Sequence, residues 1–139
     1  MGKPPVMDQL STIEPMKQVL TIQQMEQATG LSAHTLRYYE RAGLMRQQVE
    51  RGDTNGYRSY TQEHVTWIEF IKRLRATGMH IRDIQRYTEL LRQGEQTIPE
   101  RMHLLKQHQS QVEKHLREVE QHLSAINKKI AHYEQQQNQ

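Results

Sequence analysis

The stretch TIQQMEQATGLSAHTLRYYERAG, residues 21–43, decides the fold because it contains two short helices and the turn between them. Thr21 begins the first helix with the Thr-x-x-Gln pattern of a capping box, and Gly30 is typical of a residue that ends a helix. Ser32 then predicts the cap of a second helix over residues 33–42. Two short helices joined by a tight turn that contains glycine are the signature of a helix-turn-helix.

The second helix carries side chains suited to nucleic acid. Arg37 and Arg41 lie one turn apart on the same face. A major groove admits one helix, and arginine suits both guanine edges and phosphates, while tyrosine hydroxyls commonly bind phosphates. The first turn of such a helix usually meets base edges, which makes Ser32, His34 and Thr35 candidate DNA contacts.

A turn-rich segment follows over residues 45–59. It contains Asn55-Gly56, a favoured two-residue turn, and therefore predicts a β-hairpin or wing. Such a wing would place Arg58, flanked by Tyr57 and Tyr60, on the neighbouring DNA backbone or in the minor groove, which makes all three candidate DNA contacts.

Two more helices complete a predicted domain over residues 21–95. Thr61 is expected to cap a helix that runs to about Ala76, whose wide apolar face makes it the core helix. A further apolar pattern predicts a helix over residues 81–93. Residues 1–20, which include three prolines, are expected to form a disordered or loosely attached arm.

The last segment, over residues 96–135, has the most regular pattern. Eleven positions from Ile98 to Tyr133 alternate in spacing between four and three, and all except Gln109 are apolar or aromatic. These eleven positions form one seam along the helix. From Ile98 to Tyr133 the helix is about 53 Å long and cannot bury this seam on a domain of this size, so a second copy of the chain is expected to cover it. Residues 136–139 look like a frayed tail. The predicted dimerisation residues are Ile98, Met102, Leu105, Val112, Leu116, Val119, Leu123, Ile126 and Ile130.

The bulk composition narrows the class of function. The 139 residues contain no cysteine, which excludes disulfides, thiolate metal sites and thiol redox chemistry. No apolar run approaches the roughly 18 residues of a membrane span, so we expect a soluble, cytoplasmic protein. The net charge of +3 permits nucleic-acid binding without requiring it. No enzyme signature is present, and we expect no catalytic residues, no cofactor and no metal.

Three histidines, His108, His115 and His122, recur every seven residues beside the seam. Neighbours in this line are about 10 Å apart along one helix, which is too far to share a metal ion. A solvated flank of the coil is the simpler interpretation, and a metal site would need ligands from a partner chain.

The runs TIQQMEQATGLSAHTLRYYERAGLM and NGYRSYTQEHVTWIEFIKRLRATGM resemble the MerR family of transcription regulators over residues 21 to about 93. The LRYYE and GYRSY motifs, in that order, are the most specific part, and WIEFIK is similar to the aldehyde-responsive, AdhR/NmlR-like subgroup. The resemblance implies a mainly α fold, with a winged helix-turn-helix DNA-binding domain and a long C-terminal helix that forms an antiparallel dimeric coiled coil. It also implies a bacterial, nucleoid-associated homodimer. Its partner would be a pseudo-palindromic site in double-stranded promoter DNA, with an overlong spacer that is bent and untwisted for RNA polymerase.

The matched motifs imply individual DNA contacts. LRYYE assigns Arg37 and Tyr38, with Tyr39 as either a contact or a packing residue. GYRSY assigns Tyr57 and Arg58 in the wing. Arg75, near the end of the third helix, is a further candidate for a phosphate contact.

The sequence departs from the family in its sensing residues. The aldehyde-responsive subgroup carries a cysteine in the third helix where this chain has Arg73, so a thiol adduct with an electrophile is impossible. Metal-sensing members use cysteines near the end of the coil, and multidrug-sensing members append a ligand-binding domain for which this chain is too short. His80 stands where members often have a capping Ser or Thr, which predicts a weakly capped fourth helix. The effector is left open and is not thiol-based.

Two other functions compete with promoter control. The protein could be an architectural DNA-binding factor, similar to an excisionase, although an enforced dimer with fixed half-site spacing suits an operator better. Alternatively, the coil could be a protein–protein interaction module with a vestigial DNA-binding head. That alternative predicts a basic face too weak to bind DNA at physiological salt.

Overall fold

A computed structural model describes residues 18–46, 50–51 and 58–139 of the chain. Over these residues the fold is mainly α, and the predicted helix-turn-helix, strand pair and long C-terminal helix are confirmed. The elements are α1 (Ile22–Thr29), α2 (Ala33–Arg41), β1 (Glu50–Arg51), β2 (Arg58–Ser59), α3 (Gln62–Ala76), α4 (Ile81–Gln93), a 3₁₀ turn (Glu95–Thr97) and α5 (Ile98–Gln137).

The start of α1 has the predicted capping box. The Gln24 N–H donates to Thr21 Oγ1 at 3.1 Å, and the Thr21 N–H donates to Gln24 Oε1 at 2.8 Å. Gly30 ends the helix in the left-handed conformation, with φ of 73°. A residue with a Cβ is strained at this φ, so glycine is the residue that fits the turn into α2.

The wing is an antiparallel pair of two-residue strands. Glu50 pairs with Ser59 in β1 and β2, and an isolated bridge between Leu20 and Tyr60 extends the pairing. The Leu20 N–H donates to the Tyr60 carbonyl at 2.7 Å, and the Tyr60 N–H donates back at 3.0 Å. The last residue of the predicted arm is therefore hydrogen-bonded to the chain beyond β2. Residues 1–17 of that arm and the predicted Asn55-Gly56 turn lie outside the described residues.

Two compact units make up the chain, Met1–Phe70 and Ile71–Gln139, and the division falls within α3. The core of the first unit draws side chains from both helices of the helix-turn-helix and from α3. Its buried apolar members are Met25, Leu36, Tyr39, Leu44, Met45, Tyr60, Val65 and Ile68. Because α1 and α2 each span only two to three turns, this tertiary burial is what holds them as helices.

In the second unit, α4 packs on the first part of α5. His80 occupies the N-cap of α4 without a side-chain hydrogen bond, as the sequence predicts. Between the helices, Thr97 Oγ1 lies within hydrogen-bond distance of the carbonyls of Leu90 and Gly94, at 2.6 and 2.7 Å, so its single hydrogen is shared between two acceptors. Arg101 Nε donates to Thr97 Oγ1 at 3.0 Å. These bonds fix the direction in which α5 leaves α4. The domain boundary predicted near residue 95 stays a prediction.

The helix α5 has 40 residues and is about 60 Å long at about 1.5 Å per residue. None of its residues is fully buried within one chain. Most of the predicted seam is exposed, at 45–57% for each of Ile98, Met102, Leu116, Val119, Leu123, Ile126, Ile130 and Tyr133. Leu105 and Val112 are half-buried, and Gln109 is exposed. The seam is therefore a long apolar stripe on one side of a solvated helix.

Candidate nucleic-acid interface

The candidate recognition helix, α2, has one face in the core and the other in solvent. Leu36 and Tyr39, three residues apart, are buried at 2% and 8% exposure. Arg37, Tyr38 and Arg41 are exposed, and the Tyr38 ring lies 6.2 Å from that of Tyr39. Both arginines and one tyrosine hydroxyl are therefore on the side of α2 that a DNA duplex could reach.

Local hydrogen bonds order the first turn of α2. Ser32 Oγ accepts the Thr35 N–H at 3.1 Å and donates to Thr35 Oγ1 at 3.0 Å. Ser32 and His34 are exposed and Thr35 is half-buried. The three predicted first-turn contacts thus lie together at one end of the helix, with the Ser32 hydroxyl already engaged as its cap.

Tyr60, a predicted DNA contact, and Tyr39, predicted as either a contact or a packing residue, are both buried. Tyr60 is 1% exposed, with its ring edge-on to His64 at 5.8 Å, and Tyr39 is 8% exposed. A side chain with so little accessible surface supports the interface through packing, because DNA cannot reach it without rearrangement. The sequence does not separate the two roles, because a tyrosine has a largely apolar ring that packs in a core and a hydroxyl that can bind phosphate.

The remaining predicted contacts are distributed over the wing and α3. Arg58 lies in β2, and its side chain, like the whole of Tyr57, lies outside the described residues. Arg75 is exposed near the end of α3, where its Nη1 donates to the Met79 carbonyl at 2.8 Å. Arg75 belongs to the second compact unit, whereas α2 belongs to the first.

Two interactions around the interface are not evident in the sequence. Glu26 Oε2 accepts the Ala33 N–H at 3.1 Å, from α1 to the first residue of α2. Trp67 Nε1 donates to the Leu44 carbonyl at 2.7 Å, from α3 to the segment after α2. Both join residues on different elements, so no short motif reports them.

A local interaction that was not predicted caps α3. His64 Nδ1 accepts the Thr61 N–H at 2.9 Å, and the His64 ring is 4% exposed. Its position three residues after Thr61 is the position that Glu or Gln occupies in a capping box. The three-residue spacing from Thr61 to His64 could have indicated this cap in the sequence, but histidine is not a usual residue at that position of a capping box.

Within residues 18–46, 50–51 and 58–139, no three His, Cys, Asp or Glu side chains are grouped as metal ligands. His108 Nε2 lies 2.7 Å from Thr77 Oγ1, and His115 Nδ1 lies 3.9 Å from Glu118 Oε2. In the part of the chain that the structure describes, no helix has the length and apolar character needed to cross a membrane.

Comparison with known families agrees with this geometry. The sequence model of the MerR HTH family regulatory protein matches residues 20–91, and that of the MerR DNA-binding region matches residues 65–128. The first match alone spans more than half of the chain.

The chain belongs to the MerR family.

Individual relatives of this MerR-family chain include regulators of known structure. The transcriptional regulator AdhR of Bacillus subtilis is 43% identical over 86 residues, which cover 62% of this chain and 60% of AdhR. HiNmlR, a MerR family regulator lacking the sensor domain and bound to promoter DNA, is 31% identical with a TM-score of 0.76. That comparison covers 85% of this chain and 92% of HiNmlR. A MerR family regulator from Bacillus thuringiensis is 31% identical with a TM-score of 0.71, and the match covers 82% and 98%.

Proposed function

We propose that this MerR-family transcriptional regulator binds a pseudo-palindromic promoter site as a homodimer. The observation that carries the proposal is the exposed face of α2, where Arg37, Tyr38 and Arg41 stand clear of a core that holds Leu36 and Tyr39. An α-helix held by one face and arginine-bearing on the other suits a major groove.

The proposed contacts divide into two groups. In α2, the first-turn side chains and Arg37 read base edges, while Tyr38 and Arg41 bind phosphates. In the wing, Tyr57 and Arg58 bind the neighbouring backbone or minor groove. Arg75 is kept as a phosphate contact, since its guanidinium has donors beyond the one that bonds Met79. The buried Tyr39 and Tyr60 are left out of this set.

The homodimer is proposed from the seam of α5. Eight large apolar side chains that are about half exposed along one stripe would lose that surface against a second, antiparallel copy. A two-fold dimer would present two α2 helices to the two halves of a palindrome. Seam residues Leu105 and Val112, half-buried in one chain, would be covered further.

The proposed mode of action is deformation of the promoter. The protein would bend and untwist an overlong spacer so that RNA polymerase can engage both promoter elements. HiNmlR, whose structure contains promoter DNA, supports a promoter as the target. Detection of the effector does not use a cysteine thiol of this chain, because the sequence has no cysteine. This is a regulatory function without a catalytic step.

The first test is binding of the purified protein to the DNA upstream of its own gene and of the adjacent divergent gene. Mobility shift with footprinting at physiological salt should protect a palindrome between the two promoter elements. The spacer length would then show whether untwisting is needed. No protection by a protein that is dimeric by mass would contradict the proposal and favour the coil as an interaction module.

The architectural alternative is tested by what surrounds the protected site. A promoter with an overlong spacer next to the gene supports regulation, whereas a neighbouring integrase gene supports an excisionase-like factor. In an in vitro transcription assay, a regulator changes transcript yield from the neighbouring promoter. An architectural factor bends the same DNA with no such change.

A further inference from the structure

The last turn of α1 holds an acidic side chain that reaches a different helix. Glu26 is half-buried, and its Oε2 accepts the N–H of Ala33, the first residue of α2, at 3.1 Å. The Glu26 backbone carbonyl also accepts the N–H of Gly30, the residue that ends α1. A single residue therefore bonds both sides of the turn between the two helices.

The charge on Glu26 is poorly placed for α1 and well placed for α2. The C-terminal end of a helix carries a partial negative charge, and the last turn of α1 has no basic residue to offset an acid there. The N-terminal end of α2 carries the opposite partial charge and has no acid of its own in its first turn. The carboxylate of Glu26 thus has its hydrogen-bond donor on the candidate recognition helix and not on its own helix.

Two side chains share the first-turn amides of α2. Ser32 Oγ takes the Thr35 N–H at 3.1 Å, and Glu26 takes the Ala33 N–H at 3.1 Å. The Ser32 bond is local and fixes only the first turn. The Glu26 bond joins two helices, so it resists rotation or sliding of α2 against α1.

We propose that Glu26 is a positioning residue for DNA recognition, which ties the first turn of α2 to α1 and so fixes where the base-reading side chains enter the groove. The inference rests on the proposed function, since it concerns how α2 meets a promoter site. It concerns base readout more than phosphate binding, because base-edge hydrogen bonds depend steeply on position while the phosphate term is mainly charge.

The test compares four full-length proteins. E26A removes the acceptor, E26Q keeps an acceptor oxygen at the same reach without charge, and E26D keeps the charge on a side chain one methylene shorter. Q27A is the matched control, because Gln27 is an exposed residue of the same helix. For each protein, affinity is measured by fluorescence anisotropy on the promoter segment that wild-type protein protects and on a scrambled duplex, at one salt concentration.

The quantity that decides is the ratio of promoter affinity to scrambled-duplex affinity. We expect E26A and E26D to lower this ratio about fivefold. This fold-change corresponds to the free energy of one helix cap. E26Q and Q27A should keep it within about twofold of wild type. A loss that were only structural would weaken both duplexes alike and leave the ratio unchanged.

A second readout needs no DNA. Amide exchange of Ala33, followed by NMR, should be about tenfold faster in E26A than in wild type and restored in E26Q. The Gln24 amide, which Thr21 holds within α1, should be unaffected. If E26A does not fold, E26Q and E26D supply the same contrast between a retained and a lost acceptor.

Several results would overturn the proposal. An E26A ratio within twofold of wild type, or an unchanged Ala33 exchange rate, shows that the bond does not position α2. A promoter-to-scrambled ratio that falls as far in E26Q as in E26A shows that charge, and not the hydrogen bond to Ala33, produces the effect, which contradicts the proposed tie between α1 and α2. A wild-type protein that prefers no promoter segment overturns the proposed function itself, and with it any role of Glu26 in recognition. A preference that survives E26A overturns the role of Glu26 alone.

Discussion

Neighbouring residues of α2 lie on opposite faces of the helix, since Leu36 lies in the core while Arg37 lies in solvent. The sequence predicts this division for Leu36 and for the arginines, because aliphatic and guanidinium groups have opposite preferences for water. For Tyr39, which follows Leu36 by three residues, the sequence leaves a DNA contact and core packing both open. Tyr38 is 42% exposed and Tyr39 is 8% exposed, although both are the same residue in the same motif. The two exposed fractions differ because adjacent residues of a helix point in different directions. Which of the two tyrosines is buried depends on the side of α2 that packs against the core.

Replacing either of two arginines should separate base reading from phosphate binding. We expect Arg37→Ala to cost about 1–3 kcal/mol on the promoter site and to relax sequence preference. Arg58→Ala should weaken all DNA about equally and reduce the slope of log K against log salt by about 1. Titrations of promoter and scrambled duplex at several salt concentrations measure both effects. Wild-type binding by both variants would show that the assignment of contacts is wrong.

His64 should be important to stability through its ring nitrogen. We expect His64→Leu to lower the free energy of unfolding by about 1–2 kcal/mol, because the Thr61 N–H loses its acceptor. His64→Gln should lose less, since glutamine completes a capping box at this position. Urea unfolding followed by circular dichroism gives the values, with exposed Gln62→Ala as the control. A larger loss in the glutamine variant than in the leucine variant would contradict the role of the ring nitrogen.

At the scale of elements, the sequence predicts what is local. The helix ends at Thr21, Gly30 and Ser32 are all fixed by hydrogen bonds or backbone conformations within a few residues, and all are confirmed. Contacts between different elements do not depend on residues that are close in the sequence. The bond from Trp67 to the Leu44 carbonyl spans 23 residues, and the bridge from Leu20 to Tyr60 spans 40. Such pairs follow from the packing of the whole unit, so a linear pattern cannot report them.

The Trp67 bond should stabilise the junction between α3 and the segment after α2. Trp67→Phe keeps an aromatic ring but leaves the Leu44 carbonyl, on a fully buried residue, without this donor. We expect the free energy of unfolding to fall by about 1–3 kcal/mol. Exposed Thr66→Ala, on the same helix, should stay within about 0.5 kcal/mol of wild type. Equal unfolding free energies for the two variants would mean that the hydrogen bond contributes nothing to stability.

At the scale of the whole molecule, α5 is the element that the sequence predicts most completely and that one chain explains least. Its heptad pattern follows from residue spacing alone, and a single helix over Ile98–Gln137 is observed. Its seam nevertheless remains about half exposed at Leu116 and Leu123. The orientation of two such helices depends on a second chain, so neither the sequence pattern nor one protomer determines it.

A charge in the middle of the seam should separate the proposed dimer. Leu116 is the sixth of the eleven seam positions, so in an antiparallel pair with full overlap two copies of it would meet. We expect Leu116→Lys to raise the dimer dissociation constant by about 100-fold or more and to abolish promoter binding at nanomolar protein. Sedimentation velocity measures the first effect and mobility shift the second.

The matched control for this prediction is Gln121→Lys. It adds the same charge to the same helix at an exposed position off the seam. It should remain dimeric and bind the promoter. An unchanged Leu116→Lys dimer would show that the seam is not the interface between copies.

The contact between Trp67 and Leu44 also gives the protein a built-in optical probe. Trp67 is the only tryptophan in the sequence, and its indole N–H is bonded to a backbone carbonyl just beyond the helix that carries Arg37. Indole emission shifts in wavelength when its polar surroundings change, and no other residue contributes at the red edge of excitation. We therefore expect engagement of the helix by DNA to be measurable in real time, on unlabelled protein, as a shift in intrinsic fluorescence.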